Sequence, residues 1–228
     1  MPMPFYVSPD QLMQDKADFA RKGIARGKSV VACEYEGGYV IMAENLSTVL
    51  NKVSEIYDRI AFAGVGKYSE FEHLRKEGIR FADVKGYSYS REDVLAKSLA
   101  NAFSTVIGHV FTAELKPLEV EVLVLEVGDV REQDSIYHIS YDGAINDFDR
   151  YVAIGGQADR IRTYLKENYQ DGLSLEGAFG LCKKALEVPY NEKQTLAPEQ
   201  IEVAVLQRGG AGRRFRRLAK EETRRLAG

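Results

Sequence analysis

At 228 residues, with 45% hydrophobic and 29% charged side chains, the chain has the make-up of a soluble globular protein long enough to bury one good core. No apolar run approaches the roughly 20 residues that span a bilayer, and the opening "MPMPFYVSPD" lacks a basic n-region and an h-region, so a cytoplasmic, membrane-free protein is expected. The net charge of −3 is uneven: "RRFRRLAKEETRRLAG" closes the chain as a basic unit on an acidic body, which offers no matching basic face for nucleic acid.

Residues 1–8 carry no charge and include two prolines, Pro2 and Pro4, so they cannot begin a helix and need a partner surface for Met3, Phe5, Tyr6 and Val7. A first helix is predicted over 9–26, with Ser8 as N-cap, Pro9 at the first position and Gln11 as the capping-box partner. The stretch "GIARGKSVV" that follows has a Gly-Lys-Ser like a phosphate loop, but only three residues separate Gly23 from Gly27, and the flanks run helix to strand instead of strand to helix. It reads as a junction.

Two β-rich runs, "KSVVACEY" and "YVIMAE", are joined by Gly37 and Gly38 as a tight hairpin, and a second pair follows at "KVSEIY" and "RIAFAGV". Helices are predicted at 67–77 and 91–112, the latter capped by Ser90 with Asp93 and carrying Leu95, Leu99, Ala102, Val106 and Val110 on one stripe. Strands return at "LEVEVLVLEV", "SIYHISY" and "RYVAIG". The first turns from alternating to continuously apolar, as expected where a strand passes between two covering layers. Helices at 158–169 and 174–187 and a strand "IEVAVL" complete the domain at about 206. The strands come in blocks, which excludes regular βαβ alternation and predicts two antiparallel sheets packed face to face between helical layers. One main domain is expected over 9–208, with 209–228 a solvated, flexible tail.

Chemical motifs are sparse. Cys33 and Cys182 have no ligand spacing and suit core positions; His73, His109 and His138 form no H-E-x-x-H pattern; and Ser29, Ser54 and Ser98 lie in no G-x-S-x-G elbow. No metal, cofactor or catalytic group is expected. The thirteen tyrosines are spread along the chain, as suits packing and interfaces better than base stacking.

The segments "YVSPDQL", "RKGIARGKSVVACEYEGGYVIMAEN", "KVSEIYDRIAFAGVGKYSEF", "GYSYSREDV" and "YDGAINDFDRYVAIGG", in this order, resemble the α-type subunits of the 20S proteasome in its actinobacterial branch, over about residues 5–206. The resemblance implies the αββα sandwich of the N-terminal nucleophile hydrolases with an extra N-terminal helix. In the β-type relatives the chain begins at this junction with its catalytic threonine. Here Lys28 takes that position, Glu44 that of the catalytic Asp and Arg59 that of the activating Lys. A nucleophile that uses its own α-amino group must be residue 1 of its chain, and Arg cannot act as Lys does because it stays protonated. A non-catalytic subunit is therefore implied.

The resemblance further implies a seven-membered homomeric α ring stacked on β-type subunits, passing unfolded protein inward and docking a ring ATPase. Pro2, Met3, Pro4, Phe5, Tyr6, Val7, Ser8 and Pro9 would form the gating segment, although the Tyr-Asp pair of archaeal and eukaryotic relatives is missing before "SP". Lys52 would bind an activator's C-terminal carboxylate, with Gly27 and Gly66 as the small residues beside it. Two rivals stand beside this reading: a free-standing amidohydrolase trimmed to an N-terminal Ser29, and a scaffold that binds nucleic acid through its basic tail.

Overall fold

The computed structural model describes residues 8–190, 195–210 and 212–227. Two five-stranded sheets carry it, and every strand pairing is antiparallel. One sheet has the order β10-β9-β2-β1-β8, formed by β1 (Val30–Tyr35), β2 (Gly38–Glu44), β8 (Tyr151–Ile154), β9 (Ile201–Gln207) and β10 (Phe215–Arg217). The other runs β3-β4-β5-β6-β7, from β3 (Val53–Tyr57), β4 (Ile60–Gly66), β5 (Val120–Glu126), β6 (Ser135–Ile139) and β7 (Ile145–Phe148).

The period-2 rule explains the continuous apolar runs, because each central strand is covered on both faces. In β1, Val30 and Ala32 point into the core between the sheets, while Val31, Cys33 and Tyr35 point to the outer layer of α4 (Ala158–Asn168) and α5 (Leu175–Glu187). In β5, Leu123 and Leu125 face inward, and Val120, Val122 and Val124 face the opposite layer, α2 (Tyr68–Ser88) and α3 (Ala96–Ala113). Three contiguous apolar layers result, and each fully buried Leu, Ile or Phe in them contributes roughly 1.5–3 kcal/mol. The expected αββα sandwich is the observed one. Cys33 and Cys182 are buried free thiols in the outer layer, and burial beside Cys33 pushes the Cys182 thiol up.

Helix α1 (Pro9–Ala25) lies across one end of the sandwich, with Ala17, Ala20 and Ile24 buried. Ser8 accepts from the backbone N–H of Gln11 at 3.2 Å, but the Gln11 side chain donates to Asp15 instead of closing a capping box. Buried Lys16 donates to the carbonyl of Phe111 at 3.0 Å, so one cation both docks α1 and caps the C-terminus of α3.

The structure corrects further expectations. Helix α2 continues past residue 77 to Ser88, and Gly78 within it lies where the helix crosses Phe103, whose ring an added Cβ would meet at 2.5 Å. Helix α3 begins at Ala96, not at 91: Ser90 caps only a 3-10 turn, Arg91–Asp93, and the first α3 amide is capped by Glu126 of β5 at 2.7 Å. Its buried stripe is Ala96, Leu99, Ala100, Phe103 and Ile107, leaving Leu95 and Val106 exposed. Strand β7 was hidden because it is a mostly exposed edge without apolar alternation. Finally, the supposedly flexible tail packs on the domain through β10 and α6 (Lys220–Ala227), burying Phe215 and Leu218. Its charges meet acidic partners in this same chain: Arg213 with Glu55, Arg214 with Asp129, Arg217 with Glu202 and Arg224 with Glu199.

Candidate functional site

The turn between α1 and β1 brings together residues that are distant in sequence. Gly27 closes the helix, its N–H donating to the Ile24 carbonyl at 2.8 Å, and it lies against Gly66 at the end of β4. A Cβ on Gly27 would stand 2.8 Å from Val65 and 3.0 Å from the Gly66 nitrogen. The next residue, Lys28, is exposed and its backbone carbonyl accepts from Lys52 Nζ at 2.5 Å. Lys52, Gly27 and Gly66 therefore share one small region of the surface.

Lys28 also reaches the buried end of β2. Its Nζ is 2.9 Å from Glu44 Oε1 and 2.7 Å from the hydroxyl of Tyr190, which in turn donates to Glu44 Oε2 at 2.7 Å. These hydrogen bonds, that to Tyr190 first and that to Glu44 second, hold the Lys28 ammonium above its ordinary pKa, while burial raises the Tyr190 phenol. The triangle is closed and charge-matched. It contains no nucleophile with a free α-amino group, because Lys28 is bonded to Gly27 and through it to the packed helix α1. Ser29, the rival nucleophile, is buried at the start of the sheet.

Arg59 does not belong here. It occupies the turn between β3 and β4, with Nε 2.8 Å from Glu126 and Nη2 donating to the Glu92 carbonyl, and it contacts none of the residues around Glu44. The lysine beside Lys28 and Glu44 is Lys52. Half-buried at the start of β3, it has its pKa lowered to about 8, first by desolvation and, against the pull of Glu44 and Glu202, also by Lys28. Both neighbouring carboxylates are committed elsewhere, Glu44 to Lys28 and Tyr190 and Glu202 to Arg217. Among the described residues no carboxylate lies within ion-pair distance of the Lys52 ammonium.

Sequence reasoning missed Tyr190, Glu202 and Arg217. Tyr190 sits in a 3-10 turn after α5 with no motif around it. The signal for Glu202 was present: one carboxylate inside the otherwise apolar "IEVAVL". Of the gating residues, Ser8 and Pro9 start α1, and 2–7 lie outside the described residues. His138 is buried against Phe148, 3.7 Å from Glu121, and no group of three or more His, Cys, Asp or Glu among the described residues is arranged to hold a metal ion.

Comparison with known proteins identifies the family. Residues 24–206 match the family model described as proteasome subunit. The chain is 54% identical over 226 residues to the proteasome subunit alpha of Xylanimonas cellulosilytica, covering 96% of this chain and 93% of that one. The corresponding figures are 53% over 218 residues for the proteasome subunit alpha of Saccharopolyspora erythraea, covering 96% and 85%, and 49% over 226 residues for that of Thermobifida fusca, covering 99% and 91%.

Proposed function

From the premise that this chain belongs to the proteasome subunit family, we propose that it is the gate and docking platform of a proteasome core particle. It is an α-type, non-catalytic subunit, and hydrolysis belongs to the β-type subunits on which its ring stacks. The finer reading is a cytoplasmic homo-heptamer whose residues 2–9 gate the axial pore to unfolded protein and whose Lys52, with Gly27 and Gly66, receives the C-terminal carboxylate of a ring ATPase. Nucleic acid and membrane are not partners in it. The observation that carries the docking role is the half-buried Lys52 ammonium, which among the described residues has no carboxylate within ion-pair distance. The absence of catalysis is supported by Lys28, an internal residue locked to Glu44 and Tyr190 where a nucleophile would have to begin a chain.

Native mass spectrometry with and without the β-type partner tests the assembly, with a heptamer-based particle expected in its presence. A monomer under both conditions overturns the ring reading.

Removal of residues 2–7 is expected to raise the rate of peptide hydrolysis by the assembled particle severalfold, since an apolar, proline-rich plug at the axis would be gone. An unchanged rate takes gating away from this segment.

Docking should also depend on pH. A terminal carboxylate is ionised from about pH 4 upward, so the titrating partner in the alkaline range is Lys52. Its protonated form, which binds the anion, dominates below about 8. Affinity is then expected to be nearly flat from pH 6 to about 7, to be about halved near 8 and to fall above it by up to about tenfold per pH unit. Fluorescence anisotropy with a carboxylate-terminated activator peptide reads this directly. Constant affinity up to pH 9.5 removes Lys52 as the partner.

A further inference from the structure

We infer that Glu202 and Arg217 are positioning residues for the docking lysine: they clamp the backbone of Lys52 and Val53 across the two sheets and so fix where the Lys52 ammonium is presented. The inference rests on the docking role of Lys52 proposed above.

Glu202 belongs to β9 and Arg217 to β10, both in the sheet that also holds β1 and β2, whereas Lys52 leads into β3 at the edge of the other sheet. Glu202 is buried and uses both oxygens. Oε2 accepts from the Lys52 N–H at 2.8 Å and from Asn45 Nδ2 at 2.8 Å. Oε1 accepts from the Val53 N–H at 3.2 Å and from Arg217 Nη1. Arg217 completes the clamp by donating from Nη2 to the Val53 carbonyl at 2.6 Å. Asn45 extends it into the loop, donating to the Leu50 carbonyl at 2.7 Å and accepting from the Ser47 N–H at 2.9 Å. Three backbone groups of two consecutive residues therefore hang on one carboxylate–guanidinium pair.

The geometry matters because Lys52 spans the same gap in the opposite sense, from β3 to the Lys28 carbonyl just before β1. The reach of its side chain is set by the separation of the sheets at this edge, and the clamp sets that separation. Arg217 has a second effect through charge. The charged groups facing Lys52 are Lys28 ahead of β1, Glu44 at the end of β2, which Tyr190 also contacts, and Glu202 on β9. Without Arg217 behind it, the Glu202 carboxylate competes with an incoming carboxylate for the same ammonium.

The test uses the assembled particle with its β-type partner. The probe is a synthetic peptide carrying the ring ATPase's C-terminal residues with a free carboxylate, and its C-terminal amide is the control. Arg217→Ala is expected to weaken the free-carboxylate peptide by about fivefold to tenfold, to leave the amide unmoved and to shift the alkaline loss of binding to higher pH. The Arg217→Ala/Lys52→Ala double variant should bind no more weakly than Lys52→Ala alone, because the clamp acts only through that lysine. Arg217→Lys keeps the charge but cannot reach Glu202 and the Val53 carbonyl together, so about a twofold to threefold loss is expected. That variant decides the matter if Arg217→Ala does not assemble. Wild-type affinity in the Arg217 variants, or losses that multiply in the double variant, overturn the inference. Wild-type affinity in Lys52→Ala instead overturns the docking reading beneath it.

Discussion

A Gly66→Ala subunit is expected to lose about 3 kcal/mol or more of stability, with its thermal midpoint lowered by roughly 6–12 °C. Gly66 ends β4 with φ at +113°, a backbone conformation that an L side chain adopts only with strain of order 1–3 kcal/mol. The added Cβ would also stand 1.9 Å from the carbonyl oxygen of Glu119, a backbone atom that no rotamer change can move aside. Gly66 is paired with Val120 in the ladder between β4 and β5, so relief requires the two strands to separate at this end. Gly180→Ala provides the contrast. That glycine lies inside α5 with nothing within 4 Å of an added Cβ, and replacing it should be neutral or stabilise by up to about 1 kcal/mol. Thermal unfolding of both variants at equal protein concentration checks the pair, since association shifts apparent stability. A Gly66→Ala subunit as stable as the parent would show that the β4 end relaxes freely and that the glycine is dispensable to the fold.

The close packing at Gly66 and Gly27 bears on how the site was read from sequence. Their small size invited a role beside an activator's backbone, yet the fold itself demands it: Gly27 approaches Val65 and the Gly66 nitrogen, and Gly66 approaches Glu119. The strand blocks were legible because burial on both faces writes continuous apolar runs such as those of β1, β4 and β5. What stayed hidden has a common cause, namely dependence on a partner far along the chain. Helix α3 starts where Glu126 caps it from β5, 30 residues away, so its true first turn has no local signature. The basic tail read as frayed because its partners, Glu55, Asp129, Glu199 and Glu202, are scattered through the body. At the site, Arg59 was placed beside Glu44 by sequence likeness, whereas Lys52, seven residues earlier, occupies that place once the β3–β4 hairpin is folded.

In the proposed reading, docking rests on Lys52 itself. Lys52→Ala is expected to leave ring assembly and small-peptide cleavage intact while weakening ATPase docking by about 1.5–3 kcal/mol, roughly 10- to 150-fold in affinity, with protein degradation falling in parallel. Among the described residues the side chain's one hydrogen bond goes to the Lys28 carbonyl, so its removal is expected to cost the fold little. Its charge is another matter. The ammonium is half-buried and partly desolvated, with Glu44 neutralised by Lys28 and Glu202 by Arg217, so an arriving carboxylate restores what burial has taken away. A pair formed in that setting is screened less by salt than a pair on an open surface. Lys52→Arg should not restore docking in full, because a planar guanidinium spreads its charge over a fork where the lysine offers a compact point charge. Activator affinity measured at moderate salt decides the point. Affinity unchanged in Lys52→Ala would make this residue an ordinary surface lysine and move docking to other residues of the ring.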